Sequence, residues 1–238
     1  MKFVLLVYRA SRYRHEIKEK IVKYSQLGYK IILLVEDDVR KIQMKRLTKD
    51  IIIYTIKDLE NGMLDNMKGK FDYVVGNPPY QKPPKQGTKT DPIWPGLTVK
   101  FWDMLKQGGT MSIIHPGGWK ALSPGSKKDV KKVYDIYTSN VSNIEMLDKI
   151  QGHKMFGAKI DVDVITVKKE KNDGYITLIS KTDGKKRYKT SELGAIPTDE
   201  LGTFFKLKAS KDEEKVEMIY SRSAYGIDKK HVSDIPST

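Results

Sequence analysis

There is no cysteine anywhere in the chain, which rules out disulfides and thiolate metal sites alike. Histidine is scarce, and the four present (His15, His115, His153 and His231) show none of the spacing that metal ligands require. No glycine precedes Gly28 and no carboxylate precedes Glu16. No apolar run reaches the roughly 18 residues of a membrane span. The apolar patch Phe3 to Val7 is too short for a secretion signal, so a cytoplasmic protein is expected. Negative charge is also in short supply. The 44 Lys and Arg exceed the 30 Asp and Glu by 14, a balance that suits a polyanion such as nucleic acid. Among 238 residues, 39% are hydrophobic and 31% charged, enough for one full-sized core with a smaller unit appended.

What is present is a rhythm. Short apolar, β-branched runs at Phe3 to Val7, Lys30 to Val35, Ile51 to Ile56 and Tyr73 to Gly76 read as buried strands. Between the first two, His15 to Leu27 has Ile17, Ile21, Val22 and Tyr24 spaced for a helix, and Gly28 ends it. A second helix is predicted over Val39 to Leu47. Leu97, Phe101, Met104 and Leu105 mark another, followed by a strand from Thr110 to His115. Val130, Val133, Tyr134 and Tyr137 mark a further helix before strands near Ile144 to Ile150 and Val162 to Val167. Alternation of this kind argues a mostly parallel sheet with helices on its faces. The last two strands are joined without a helical pattern, which predicts an antiparallel hairpin at the far edge. Beyond Lys168 the sequence turns polar, with short strand candidates at Tyr175 to Ser180 and Lys185 to Lys189, so a first domain is expected over 1–172 and an appended region over 173–238.

The stretch that carries chemistry is Phe71-Asp72-Tyr73-Val74-Val75-Gly76-Asn77-Pro78-Pro79-Tyr80. A buried strand delivers a rigid polar turn at its carboxyl end, where open α/β sheets bind ligands. The two prolines fix φ and remove both N–H donors, so the turn offers carbonyl acceptors, an amide side chain and an aromatic ring. That set suits an exocyclic amino group on a base, a poor nucleophile because its lone pair is delocalised. The Asn77 side-chain oxygen and the Pro78 carbonyl can accept its two N–H bonds and stabilise the positive charge that builds up during transfer. Tyr80 can stack on a base that has left the duplex. As a bare tetrapeptide the motif also suits a structural turn or a tyrosine peptide in a disordered tail. Its position at a strand end favours the pocket.

These residues resemble the class I S-adenosylmethionine-dependent DNA methyltransferases, in particular the restriction-modification type adenine-N6 enzymes with an Asn-Pro-Pro-Tyr signature. The resemblance covers about residues 1 to 172. It extends to Lys106-Gln107-Gly108-Gly109-Thr110 through Pro116, similar to the family's fifth strand, with Trp119 following. It implies a Rossmann-like sheet of seven strands, mostly parallel with an antiparallel edge hairpin, and methyl transfer from S-adenosylmethionine to a flipped adenine. By the same resemblance Asn77, Pro78 and Tyr80 are catalytic. Phe156, in Met155-Phe156-Gly157-Ala158-Lys159, stacks on the other face of the base. Glu36, in Leu34-Val35-Glu36-Asp37-Asp38, holds the cofactor ribose, since two oxygens match two vicinal hydroxyls. Asp58, in Ile56-Lys57-Asp58-Leu59, reads the cofactor adenine. The implied partner is DNA. Residues 173–238 are few for a complete target-recognition domain, as expected either of a piece of a longer protein or of a chain whose partner subunit supplies DNA contacts.

One segment departs from the family. A Gly-rich turn is expected after the first strand, where backbone approaches the methionine end of the cofactor. Here Tyr8-Arg9-Ala10-Ser11-Arg12, followed by Arg14, stands in its place. Bulk and positive charge at that point predict weak binding of S-adenosylmethionine by the isolated chain. The alternative function is therefore a homologue that has lost catalysis and binds nucleic acid or a partner. Lys82, Lys85 and Lys89 of the Pro-rich loop are placed either to touch phosphates or simply to be solvated.

Overall fold

The computed structural model describes residues 1–8, 14–46, 48, 51–82, 91–123 and 125–207. In chain order these form β1 (Lys2–Tyr8), α1 (Arg14–Gln26), β2 (Tyr29–Val35), α2 (Asp38–Lys45), β3 (Ile52–Thr55) and α3 (Ile56–Glu60). There follow β4 (Phe71–Asn77), α4 (Trp94–Met104), β5 (Leu105–Pro116), α5 (Lys128–Ser139), β6 (Asn140–Leu147) and α6 (Lys149–Phe156). The series ends with β7 (Val162–Lys171), β8 (Tyr175–Ser180), β9 (Gly184–Lys189) and α7 (Leu201–Leu207). By its internal contacts the chain divides into Met1–Gly202 and Thr203–Thr238. Of the second unit only Thr203–Leu207, within α7, is described.

The sheet runs in the order β3-β2-β1-β4-β5-β7-β6-β8-β9. From β3 to β5 every pairing is parallel, while β7 runs antiparallel to both β5 and β6. Val4, Leu5, Leu6 and Val7 of β1 are all fully buried, as a central strand covered on both faces must be. On one face α1 and α2 add Ile17 and Met44 to a core with Val4, Leu6, Leu33 and Val35. On the other, α4 packs with α5 and β5, and α5 with β6 and β8. Among the described residues no helix is long and apolar enough to cross a membrane.

The class of fold is as the sequence indicates, with four differences of detail. Among the described residues the sheet has nine strands rather than seven. β8 pairs with β6 in parallel and β9 closes the edge. The antiparallel β6–β7 pair is therefore interior, and the sheet continues past the boundary expected at residue 172. The β6–β7 connection is not helix-free, because α6 occupies it. This helix is short, but Asp148 and Gln151 form a reciprocal capping box at its start and Gly157, at φ 66°, closes it. Gly157 N–H donates to His153 O at 2.8 Å, the bond of a left-handed helix stop, and Ala158 N–H donates to Gly152 O at 3.2 Å. Finally, Val22 is 54% exposed and lies off the core face of α1, whereas Ile21 and Tyr24 pack against that core.

Candidate active site

The carboxyl ends of β2, β3, β4 and β5 open into one cleft of about 1040 Å³. At one end the wall is Glu36, from the exit of β2, with Ile56, Lys57 and Glu60 of α3. At the other it is Asn77, Pro79 and Tyr80 from the exit of β4, with Trp94 at the start of α4 and Phe156 at the end of α6. The volume is at the upper limit of a single-ligand pocket, roughly 300–1,000 Å³, which leaves space for two reacting molecules.

The β4 exit is held by backbone geometry. Gly76 pairs with Val7 and Asn77 with Tyr8, and Gly76 has φ +154°. A Cβ at Gly76 would stand 1.8 Å from the Val7 carbonyl oxygen, so only glycine brings β4 this close to β1. Asn77, next in line, is 6% exposed and reaches the cleft wall. Pro78 is buried beside it and is not part of the lining. The Tyr80 carbonyl then accepts from the N–H groups of Ile93 (3.0 Å) and Trp94 (3.4 Å). A bridge between Gln81 and Pro92 ties the two arms of the Pro-rich loop together. Lys85 and Lys89, inside that loop, lie outside the described residues, as do Arg9 and Arg12.

A buried polar layer braces this end from behind. Trp94 stacks on His115, with centroids 4.3 Å apart and planes at 15°. His115 Nε2 lies 2.6 Å from the Tyr137 hydroxyl and Nδ1 lies 2.8 Å from the Pro116 carbonyl. Desolvation lowers the His115 pKa from 6.5 to about 4, so the ring is neutral at physiological pH. Deeper still, Asp163 is wholly buried. It accepts from Trp119 Nε1 at 2.7 Å and from Lys120 Nζ at 3.0 Å, and burial pushes its pKa upward against the pull of Lys120 and Trp119. Lys120 Nζ also donates to Thr198 Oγ1 at 3.1 Å, joining the segment after β9 to the site's support.

The structure thus brings Glu36, Asn77, Tyr80 and Phe156 to one cleft, as the sequence suggests. Two expected groups are elsewhere. Asp58 is not in the lining. It forms the capping box of α3 with Thr55 and accepts from Lys41 Nζ at 2.8 Å. The Lys41 hydrogen bond holds its carboxyl below the usual range. Tyr8 is 3% exposed, packs in the α1 core and donates to Glu16 Oε1 at 3.0 Å. Its bulk therefore does not stand in the cleft, which removes the steric part of the objection to cofactor binding that rested on this residue. Sequence reasoning missed Trp94 and Glu60. An aromatic two residues before the Gly-Leu of a helix start was the available signal for Trp94, and nothing marked Glu60.

With the geometry in place, comparison with known proteins becomes informative. The Eco57I restriction-modification methylase family matches residues 4–156, well over half the chain. The chain belongs to the Eco57I restriction-modification methylase family. The match spans β1 to the end of α6 and so includes every residue placed at the cleft except Gly157 to Ile160. The fold is also similar to the methyltransferase subunit of a type I restriction-modification system from Streptococcus thermophilus, at 16% identity and a TM-score of 0.52. That likeness covers 75% of this chain and 42% of the relative. The EcoKI M protein is similar at 12% identity, with a TM-score of 0.50 over 77% of this chain and 46% of that one. The chain accordingly spans less than half the length of these two relatives. No match was found among curated proteins by sequence.

Proposed function

We propose that this chain carries the transfer site of a DNA methyltransferase that moves a methyl group from S-adenosylmethionine to the N6 amino group of a flipped adenine. The observation that carries the proposal is the convergence of Asn77, Tyr80 and Phe156 with Glu36 on one cleft. Acceptors at the β4 exit hold the amino N–H bonds, and two aromatic residues are available for the two faces of the base. The Glu36 carboxylate has the two oxygens a ribose diol requires, and Ile56 gives an apolar surface beside it. These features fit the cofactor, which supplies an electrophilic methyl on a sulfonium sulfur. Nitrogen forms the new N–C bond as the C–S bond breaks, and the surplus proton passes to solvent. The Asn77 side-chain oxygen stabilises the ammonium-like charge before that proton leaves. The target is DNA, and a partner subunit contributes to target recognition.

The test is tritiated methyl transfer to mixed-sequence duplex DNA, with nucleoside analysis of the product. The expected result is label in N6-methyladenine, lost in Asn77→Ala. Label in cytosine, or label that persists in Asn77→Ala, contradicts the assignment. Absence of any transfer with DNA binding intact favours the rival reading, a nucleic-acid-binding homologue without catalysis.

A further inference from the structure

Positive charge is concentrated beside the cleft at the start of α5. Lys127 and Lys128 open α5, and Lys131 and Lys132 follow one turn on. All four are exposed, while Val133 and Tyr137 on the opposite face are fully buried. Lys127 with Lys131, and Lys128 with Lys132, are like charges at a spacing of four, offset in part by Asp129 three residues before Lys132 and Asp135 four residues after Lys131. Cations in the first turn also oppose the helix dipole, and Lys127 makes no side-chain cap bond there. Asp129 is the single acid of that turn.

These lysines connect to the cleft. Lys127 Nζ donates to Asp91 Oδ1 at 3.1 Å, and the Asp91 carbonyl accepts from Lys82 N–H at 3.4 Å. Lys82 is itself part of the cleft wall, as is Lys159 from the loop after α6. A basic rim therefore runs from the base end of the cleft outward over α5. Glu36 and Glu60 lie toward the other end of the cleft.

We infer that Lys127, Lys128, Lys131 and Lys132 of α5 are a docking surface for the phosphate backbone of duplex DNA flanking the base held in the cleft. Two rows of lysines one helical turn apart span about 6 Å, at 1.5 Å per residue, comparable with two nucleotide steps of about 3.4 Å each. Phosphates neutralise the like-charge repulsion within each row. The placement of the duplex rests on the base-pocket reading above, whereas the charge complementarity of the surface does not.

The experiment is fluorescence anisotropy with a short fluorescein-labelled duplex of mixed sequence, titrated between about 50 and 200 mM salt. The full chain is compared with a variant carrying Lys127→Gln, Lys128→Gln, Lys131→Gln and Lys132→Gln. A control carries Lys18→Gln, Lys20→Gln, Lys23→Gln and Lys30→Gln, an equal loss of charge on α1 and the start of β2. Matching thermal transitions confirm that both variants fold. The α5 variant is expected to bind at least about tenfold more weakly, with a salt slope shallower by about 2 to 4, since each phosphate contact contributes about 0.9. The control stays within about twofold of the parent chain. Equal losses in both variants, or none in either, overturn the inference, as does tighter binding of single-stranded RNA than of the duplex. If the α5 result holds while Asn77-dependent methyl transfer is absent, the base-pocket reading fails by itself and the docking surface stands.

Discussion

The two ends of the cleft are built by different physics. At the β4 end, position is set by backbone: a glycine at φ +154°, two prolines, and a turn held by the N–H groups of Ile93 and Trp94. Behind it sits a buried stack of Trp94, His115 and Tyr137. At the β2 and β3 end, position is set by side chains on the first turns of short helices. Asp37 caps α2 by accepting from Arg40 N–H, and Asp58 caps α3. Glu36 and Glu60 line the cleft together with Asp37, whose carboxylate is already engaged as the α2 cap. One end is therefore rigid and intolerant of substitution, and the other is adjustable. Rigidity belongs where a poor nucleophile must be held in one geometry. Side-chain adaptability suffices for holding a diol.

The harshest way to break this comparison is Gly76→Ala. The added methyl meets the Val7 carbonyl at 1.8 Å, so β1 and β4 must separate. A loss of more than about 4 kcal/mol, or failure to fold, is expected in urea unfolding. A cost below about 1 kcal/mol shows that the β4 exit is not held as described.

Acid sharpens the contrast further. The folded His115 pKa of about 4 lies below its ordinary 6.5. The histidine contribution is therefore fully present above about 6.5 and is lost as pH falls toward 4, by on the order of 3 kcal/mol. Asp163, with its pKa raised, tilts the opposite way, so the comparison is between the parent chain and His115→Gln. The variant's stability is expected to fall less steeply between those pH values. Identical slopes place the acid sensitivity elsewhere.

Much of this arrangement was legible in the sequence, for reasons that differ by element. Strands β1 to β5 announce themselves because a parallel sheet covered on both faces needs continuous apolar runs. The Asn77-to-Tyr80 turn is visible because its chemistry lies in contiguous residues. Helix α6 was hidden because eight residues give too few turns for periodicity, although Asp148, Gln151 and Gly157 mark its ends. Strands β8 and β9 were legible as short runs, but their place in the main sheet was not, because β9, Gly-Lys-Lys-Arg-Tyr-Lys, is an exposed, charged edge strand without an apolar pattern, as edges resisting aggregation tend to be. Asp58 misled because an acid after a strand serves equally as a helix cap or a ligand group. Only the position of Thr55 and Lys41 distinguishes the two. Tyr8 misled because sequence gives the place of a residue along a strand but not which side of the sheet its side chain takes.

The most direct measurement is calorimetry with S-adenosylmethionine on the parent chain, Glu36→Ala and Asp58→Asn. With Tyr8 packed away from the cleft, the account predicts micromolar binding by the parent chain, against the weak binding that the arginine-rich segment by itself implies. It predicts a loss of at least about tenfold in Glu36→Ala, the scale of a charged hydrogen bond, and a change of less than about twofold in Asp58→Asn. Absence of binding by the parent chain, or loss in Asp58→Asn with Glu36→Ala unaffected, contradicts the placement of the cofactor at the Glu36 end of the cleft.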